Sequence, residues 1–448
     1  MAEPRKIEIP PELLAMGYPE DLELPASPAE LLDPGLPGDW GLAAEWVRHD
    51  EGLDTLAKTA AWGAGAGNDP KTGAPAVVFV ADPEHAEQVQ RELPTEVGVG
   101  GKRLPVAVLA LPQPLSPRAH PPGAPSSIYS GAFTGSLVTT DVDNLFFAYN
   151  AMPGGGTLTG IFPRLFGSGS RALTNAHVAL DAGIDNLLSG LPASLGDLFR
   201  SPHGRHLYAY DQSPSNTGAY ELFEVDTRTP ILVFVPPWAV YSVTALGSFG
   251  IGGASATSIL STIGGSLLTS LTSFTGGFPL GGLFGGIPLT FLYVDIAAGP
   301  VRPRVAPQLS SRTRFAPNAP PVPEERRTAR GAKMSLGRRV VPGEQVYGIG
   351  ARLGLRWGAL AVAGLVQQIS ITLPVPPPLP SVRLVFLFNQ DLYIMPIEPG
   401  DSGMAPVAQM DNAPLGLAGL GSGPHTGGIG VTLATPLNLV RLFGDVQM

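Results

Sequence analysis

Residues 398–407 of this 448-residue chain read Glu398-Pro399-Gly400-Asp401-Ser402-Gly403-Met404-Ala405-Pro406-Val407. The glycines on either side of Ser402 leave its hydroxyl accessible and let the backbone turn sharply. In such a turn successive backbone N–H groups can converge on one point, as stabilisation of an oxyanion requires. Asp, Ser and Gly are also common in surface turns, so an ordinary turn is the alternative interpretation. The segment alone therefore makes Ser402 a candidate nucleophile and no more.

A histidine follows an apolar stretch in the sequence Ala172-Leu173-Thr174-Asn175-Ala176-His177-Val178. The stretch has the composition of a buried strand, so we expect His177 at the end of a strand with its ring constrained. A histidine held in this way suits the role of general base. The alternative is a core histidine whose ring bonds a backbone carbonyl.

Together the two segments resemble the trypsin-like (chymotrypsin-fold) serine protease superfamily, and the residues around His177 look most like its bacterial and organellar branches. In that superfamily the chain order is histidine, aspartate, serine, and the three groups meet between two β-barrels. Ser402 lies 225 residues after His177, in agreement with this order. The resemblance implies that Ser402 attacks, that His177 takes its proton, and that a carboxylate fixes the tautomer of the imidazole.

The carboxylate must then lie between His177 and Ser402. The candidates are Asp181, Asp185, Asp197, Asp211, Asp226, Asp295 and Asp391. We prefer Asp295 because it ends the apolar run from Thr290 to Val294, and a buried carboxylate needs a partner such as an imidazole N–H. The family's aspartate segment is similar, with an apolar strand followed by Asp-Ile-Ala or Asp-Ala-Ala. Asp226 is the second choice, and a carboxylate that merely caps a strand is the alternative interpretation of Asp295.

The resemblance also assigns roles within the serine segment. It implies that the backbone N–H groups of Gly400 and Ser402 form the oxyanion hole and that Asp401 shapes the loop. Met404 departs from the family, which usually has Gly or another small residue there. We expect this change to alter the packing of the loop or a subsite beyond the scissile bond, and to leave the hydroxyl in place.

Substrate-binding positions follow from the same resemblance. The base of the pocket for the residue before the scissile bond falls at Pro396, where no carboxylate stands to select Arg or Lys. Gly419, Leu420 and Gly421 fall where relatives offer an edge strand to the substrate backbone. A preference for small or apolar residues is the resulting expectation.

The composition favours a mainly β fold. Gly and Pro number 57 and 48, which suits short strands joined by turns better than a helical bundle. Strand-like runs separated by Gly or Pro, among them residues 145–149, 156–162, 360–366 and 370–374, indicate an antiparallel barrel or sandwich. The formal net charge of −9 argues against nucleic acid as a partner. The absence of cysteine excludes disulfides, zinc–thiolate sites and a cysteine nucleophile. His203 and His206 could suggest a metal pair, but no carboxylate cluster stands beside them in the sequence, so we predict no metal site.

The chain divides into four parts in this interpretation. Residues 1–40 are Pro-rich and irregular, 41–111 form a small α/β module, 112–128 are a Pro-rich linker, and 129–448 are the protease domain, a two-barrel body of the chymotrypsin type. The α/β module contains a helix over 42–61, a strand over 76–80, a helix over 83–93 and a strand over 104–111. A similar module precedes the protease domain in a bacterial and plant subgroup that includes the narrow-leaf type of trypsin-like protease.

Two insertions, at about 245–289 and 302–340, interrupt the predicted protease domain. The first belongs to a stretch without any charged residue, from Thr229 to Val294, and either covers the cleft, mediates oligomerisation or touches a membrane. The second is basic; it is a solvated loop, a dock for an acidic partner, or a site of cleavage at Arg326-Arg327. Without a signal peptide or an obvious spanning segment, a cytoplasmic location is the default expectation.

The sequence therefore predicts a serine endopeptidase that acts on protein or peptide substrates through Ser402, His177 and Asp295 without a cofactor. A homo-oligomer or a regulatory partner could engage it through the insertions. The alternative is a catalytically silent binding scaffold of the same fold, with its cleft covered.

Overall fold

The structure is a computed structural model that describes residues 5–15, 17–113, 135, 137–140, 155–180, 198–213, 216–240, 289–302, 335–351, 354–373, 381–398, 400–422 and 430–448. Its helices in these ranges are α1 (Pro11–Ala15), α2 (Pro28–Leu32), α3 (Gly38–Arg48), α4 (Asp50–Lys58), α5 (Ala86–Glu92), α6 (Ala176–Leu180), α7 (Pro237–Val240) and α8 (Leu437–Gly444). None of these helices combines the length and the apolar character needed to cross a membrane.

Strands dominate the described residues, as the composition predicted. They are β1 (Arg5–Lys6), β2 (Glu23–Leu24), β3 (Gly63–Asn68), β4 (Pro75–Ala81), β5 (Glu96–Val99), β6 (Lys102–Ala110), β7 (Leu137–Thr139), β8 (Gly155–Thr157), β9 (Gly160–Pro163), β10 (Ser170–Thr174), β11 (His206–Ser213), β12 (Asn216–Glu224), β13 (Leu232–Phe234), β14 (Leu289–Tyr293), β15 (Ala297–Pro300), β16 (Gln345–Gly350), β17 (Gly354–Leu373), β18 (Ser381–Ile394), β19 (Val407–Ala408), β20 (Gly416–Ser422) and β21 (Val431–Pro436).

The largest sheet joins strands from distant parts of the chain. Its order is β13-β14-β18-β17-β3-β4-β6-β5, and β16, β19, β20 and β21 attach to it. Strand β3 makes the junction by pairing with β17 on one side and with β4 on the other. Its alternating Gly and Ala residues allow a close approach, because a Cβ at Gly65 would lie 2.6 Å from a Val362 methyl carbon. Strands from both sides of residues 112–128 therefore share one sheet, while the proposed domain division itself remains a prediction.

The elements predicted for residues 41–111 are present with shifted ends. The expected strands lie in β4 and β6, which pair in parallel, and the expected charged helix is α5 between them. The single helix expected over 42–61 is two helices, because the backbone of His49 is extended between α3 and α4. Residues 5–40, expected to be irregular, contain α1, α2 and the β1–β2 pair.

Two smaller sheets form a second body, with orders β12-β11-β7-β8 and β15-β10-β9. Their shared core consists of buried apolar side chains, namely Val138, Leu158, Ile161, Ala172, Val178, Ala179, Leu207, Ala209, Leu222, Phe223, Val225 and Ala297. A separate core lies beside the β16–β21 part of the large sheet and includes Val346, Leu360, Met395, Met404 and Leu415. The candidate site lies where segments of these two parts meet.

Several sequence-based boundaries need correction. The strand expected over 156–162 is two strands, β8 and β9, and the strands expected over 360–366 and 370–374 both lie within β17. The hairpin β11–β12 was not predicted. The strand expected over 145–149, most of the linker, the bulk of both insertions and the Arg326-Arg327 pair lie outside the described residues.

The continuity of the large sheet predicts how the stability of the chain responds to a substitution at Phe79. This residue is fully buried in β4, with its ring edge-on to Trp46. Because the sheet is continuous, Phe79→Ala is expected to lower the stability of the whole chain in one unfolding transition, by about 3–5 kcal/mol. The exposed Phe166 provides the control: Phe166→Ala should change stability by no more than about 0.5 kcal/mol. Calorimetry that shows two transitions, with only one shifted by Phe79→Ala, would contradict a single cooperative unit.

Candidate active site

The register of the small sheet explains why His177 and Asp295 are neighbours. Strand β10 pairs with β15 so that Thr174 stands opposite Ala297. His177 follows the end of β10 by three residues, and Asp295 precedes the start of β15 by two. The antiparallel pair therefore brings both residues to the same end of the sheet. His177 lies in the short helix α6 rather than at the end of the strand, which corrects the sequence-based expectation.

The Asp295 side chain is completely buried and is satisfied by three donors. Its Oδ2 lies 2.6 Å from Nδ1 of His177, and its Oδ1 accepts the backbone N–H of His177 at 2.9 Å. The hydroxyl of Tyr293 donates to Oδ2 at 3.0 Å. A carboxylate can only accept, so in the neutral imidazole the proton lies on Nδ1 and Nε2 is the acceptor. The backbone carbonyl of Asp295 accepts the amide of Asn175 at 2.8 Å.

Tyr293 acts as a donor because its hydroxyl keeps its proton. Burial, reinforced by the neighbouring Asp295, raises the pKa of the Tyr293 hydroxyl well above its usual value. In the sequence, only the position of a tyrosine two residues before the aspartate hints at this contact. A tyrosine at that position is equally typical of an aromatic residue in the core.

The serine loop, defined here as residues 400–403, has the sharp backbone that the glycines predicted. Gly400 and Gly403 have φ angles of 99° and 100°. A Cβ at Gly403 would also lie 2.0 Å from the carbonyl oxygen of Thr157, so only glycine fits there. The buried Asp401 accepts the backbone N–H of Glu398 at 3.2 Å, as a loop-shaping residue would.

The second body holds the serine loop through two threonines that sequence reasoning missed. The Thr157 N–H donates to the carbonyl of Ser402 at 2.7 Å, and its hydroxyl donates to the carbonyl of Gly400 at 2.9 Å. The Thr159 hydroxyl donates to the carbonyl of Gly403 at 2.7 Å. The carbonyls of Gly400, Ser402 and Gly403 are thus all bonded by the two threonines. Among the described residues, none accepts a hydrogen bond from the N–H of Gly400 or Ser402.

Ser402 is 5% exposed, and its hydroxyl donates to the carbonyl of Gly419 at 3.0 Å. Within the described ranges, no hydrogen bond joins this hydroxyl to the His177 imidazole. Hydrogen bonds between catalytic groups are often long or misaligned until substrate binds. Gly419 also lies against the Asp295 carboxylate, since a Cβ there would be 2.7 Å from Oδ2. Ser402, Gly419 and Asp295 thus share one small region.

The expected substrate-binding residues lie beside this region. Gly419 interrupts the register of β20 against β21, and Leu420 and Gly421 continue the pairing with Leu433 and Thr432. On the edge of β20 away from β21, Ala418 exchanges backbone hydrogen bonds with Gly403 and Met404, and no described backbone hydrogen bond follows beyond Ala418. Pro396 is half-buried, in the segment that leads to the serine loop.

Ile397, next to Pro396, makes a contact with β20 that the sequence did not indicate. Its side chain is 4% exposed, and its Cγ2 lies 1.8 Å from the position that a Cβ at Gly421 would take. The two chain segments are therefore in direct contact. Met404, the departure from the family pattern, is buried and packs against Gly348, which agrees with the packing alternative rather than the subsite alternative.

Asp226, the second choice for the carboxylate, pairs instead with the buried guanidinium of Arg171, with Nη1 2.9 Å from Oδ2. Asp391 is buried against Arg339, and burial raises the pKa of its carboxyl. Asp181, Asp185 and Asp197 lie outside the described residues, as does the side chain of Asp211.

His206 has carboxylate neighbours that the sequence did not predict. Hairpin β11–β12 brings Glu221 and Glu224 to it, with their ligand atoms and that of His206 within 4.8 Å of one another. Arg302 bonds both carboxylates, at 2.6 and 3.0 Å. Hydrogen bonds from His206 and Arg302 lower the pKa of Glu221. The group is an ion-pair network centred on Arg302. His203 is exposed and is not among its members.

No family model matches the sequence, and no curated protein matches it. Among solved structures, the chymotrypsin of Cellulomonas bogoriensis is 19% identical and aligns over 34% of this chain and 68% of its own, with a TM-score of 0.23. A Nocardiopsis protease is 10% identical over 71% of this chain and 98% of its own, with a TM-score of 0.28. A serine protease specific for glutamic acid is 11% identical over 69% and 95%, with a TM-score of 0.32. These neighbours are serine proteases of the chymotrypsin fold. Their TM-scores are low.

Proposed function

We propose that the chain is a serine endopeptidase in which Ser402, His177 and Asp295 form the catalytic triad. One observation carries the proposal: a completely buried carboxylate lies 2.6 Å from Nδ1 of His177 and leaves Nε2 free to accept a proton. In this proposal the two bodies correspond to the two barrels of a chymotrypsin-like domain. Strands β3–β6 extend the large sheet as the N-terminal α/β module.

The reaction follows from the protonation state of His177. On substrate binding the Ser402 hydroxyl turns from Gly419 towards Nε2 of His177. Oγ attacks the carbonyl carbon of the scissile peptide bond as Nε2 takes its proton, and the imidazolium is stabilised by Asp295. His177 then gives this proton to the leaving amine, the C–N bond breaks, and an acyl-enzyme remains. Water, deprotonated by His177, hydrolyses the ester and regenerates Ser402.

The oxyanion of the tetrahedral intermediate needs preorganised donors. The N–H groups of Gly400 and Ser402 are suited to this role because neither is used by the described part of the fold. Thr157 and Thr159 hold the loop through its carbonyls, at Gly400 and Gly403. Loss of one such donor typically costs about 2.7–4 kcal/mol of transition-state stabilisation.

A protein-cleavage assay tests the proposal. We expect the full chain to cleave denatured casein or a mixed peptide library and to generate new amino termini, whereas Ser402→Ala generates none. A folded wild-type protein that cleaves neither substrate would support the silent-scaffold alternative. Equal cleavage by Ser402→Ala would remove Ser402 from the mechanism.

The contact between Ile397 and Gly421 predicts a preference for small residues before the scissile bond. A peptide added to the free edge of β20 would place that residue between Gly419 and the 396–398 segment, where Ile397 leaves little room. We expect wild type to prefer Ala over Phe at this position. Ile397→Ala should raise kcat/KM for the Phe substrate relative to the Ala substrate about 10-fold or more. The control Ile161→Ala, an equal truncation in the other core, should leave this ratio unchanged. An unchanged ratio in Ile397→Ala would exclude Ile397 as the determinant.

Protein or peptide substrates are the partners that this proposal implies. A further partner or a second copy of the chain at the 245–289 or 302–340 insertions, and a cytoplasmic location, remain predictions from the sequence.

A further inference from the structure

The hydrogen bond from Tyr293 to Asp295 goes beyond the three groups of the triad. We infer that Tyr293 is a positioning residue, whose hydroxyl fixes Oδ2 of Asp295 so that the imidazole of His177 presents Nε2 to Ser402. The inference rests on the proposed function for its catalytic consequence. The contact itself is independent of that function.

The backbone explains why the two side chains meet. Tyr293 and Asp295 are two residues apart in an extended segment, so their side chains project to the same side. Tyr293 is held firmly, because it ends β14 and stands opposite Leu232 of β13. Asp295 lies beyond the end of that strand, where the chain leaves the large sheet for β15 of the small one. A hydroxyl anchored in the sheet thus reaches a carboxylate on the less regular link.

Among the described residues, Tyr293 is the only donor to the Asp295 carboxylate apart from His177. Oδ2 of Asp295 has two donors there, His177 and Tyr293, while Oδ1 accepts the backbone N–H of His177. Gly419 lies on the open side and has no side chain to supply another donor, although a Cβ there would be 2.7 Å from Oδ2. Without the tyrosine hydroxyl, every described hydrogen bond to the Asp295 carboxylate would come from His177, the residue that the carboxylate is meant to orient.

The state of the hydroxyl supports this role. Because burial and the adjacent carboxylate raise the pKa of Tyr293 well above its usual value, the hydroxyl remains a donor throughout the neutral pH range. The bond therefore persists while His177 gains and loses a proton during each cycle.

Tyr293→Phe removes only the hydroxyl and leaves the ring in place. We expect kcat and the rate of fluorophosphonate labelling to fall about 10- to 100-fold, as for the loss of one hydrogen bond to a charged group, with KM unchanged. In the Asp295→Asn background the same change should cost nothing further, since the two residues act through one interaction. Tyr393→Phe is the matched control: this tyrosine is also fully buried, and its hydroxyl has no hydrogen-bond partner in the described residues. It should leave kcat unchanged.

A spectroscopic measurement separates this inference from the proposed function. In NMR spectra of protein whose histidine rings carry a nitrogen isotope label, the chemical shift of the downfield Nδ1–H proton of His177 should change in Tyr293→Phe. It should stay the same in Tyr393→Phe. In wild type, the Tyr293 hydroxyl proton should show a cross-peak to that Nδ1–H, which needs no variant to fold. A moved resonance in a protein that cleaves nothing would keep the positioning role and reject the peptidase. An active wild type with unchanged kcat and resonance in Tyr293→Phe, or without the cross-peak, would overturn the inference.

Discussion

Asp295→Asn is expected to lower kcat about 10⁴-fold, with little change in KM. The asparagine would turn its amide N–H₂ towards Nδ1 of His177, so that Nδ1 accepts and the proton moves to Nε2. A protonated Nε2 cannot take the proton of Ser402. The measurement is the steady-state hydrolysis of a peptide that the wild type cleaves, with thermal unfolding to establish that the variant is folded.

Asp226→Asn is the control for this prediction, because Asp226 was the second choice for the same role. Its carboxylate pairs with Arg171, so the substitution should leave kcat near the wild-type value. If Asp226→Asn abolished activity and Asp295→Asn did not, the assignment of the carboxylate would be reversed.

Ser402→Ala and His177→Ala are each expected to lower kcat about 10⁶-fold, and the double variant should be no slower than either single one. The reason is that the nucleophile and its base act as one unit, so removal of either disables both. The three variants are compared with wild type in single-turnover assays at high enzyme concentration. If the fold-loss of kcat in the double variant equalled the product of the two single losses, Ser402 and His177 would act independently.

The sequence could locate the candidate site because its chemistry lies in short segments. His177 and Ser402 stood out through the residues beside them, and Asp295 stood out as the lone carboxylate after an apolar run. What brings Asp295 to His177 is the pairing of Thr174 with Ala297. Such a register depends on residues far apart in the chain, so no local pattern indicates it.

The supporting residues could not be predicted for the same reason. Thr157 and Thr159 hold the serine loop across 243 and 244 residues of sequence. Threonine occurs in many strands, and neither residue carries a distinguishing pattern. Tyr293 likewise resembles an ordinary core aromatic until its hydroxyl is seen on Asp295.

The fold differed from expectation mainly where strands lack apolar alternation. Strand β3 consists of Gly and Ala up to its last residue, which are poor strand formers by propensity. It forms because its small residues fit closely between β17 and β4. Near the C-terminus, a threonine followed by proline and apolar residues predicts a helix with Thr435 as its N-cap and Pro436 as its first residue. Instead Thr435 belongs to β21 and Pro436 is the cap, so α8 begins one residue later than predicted.

Mapping a fluorophosphonate adduct by mass spectrometry tests the central claim most directly, because it needs no knowledge of the substrate. The full chain is treated with the reagent, digested and analysed, beside Ser402→Ala and heat-unfolded wild type. We predict a single adduct on Ser402 of the native protein, and none on Ser402→Ala or on unfolded chain. A native protein that stays unmodified, or one modified at a different serine, would contradict the assignment of Ser402 as a nucleophile activated by His177.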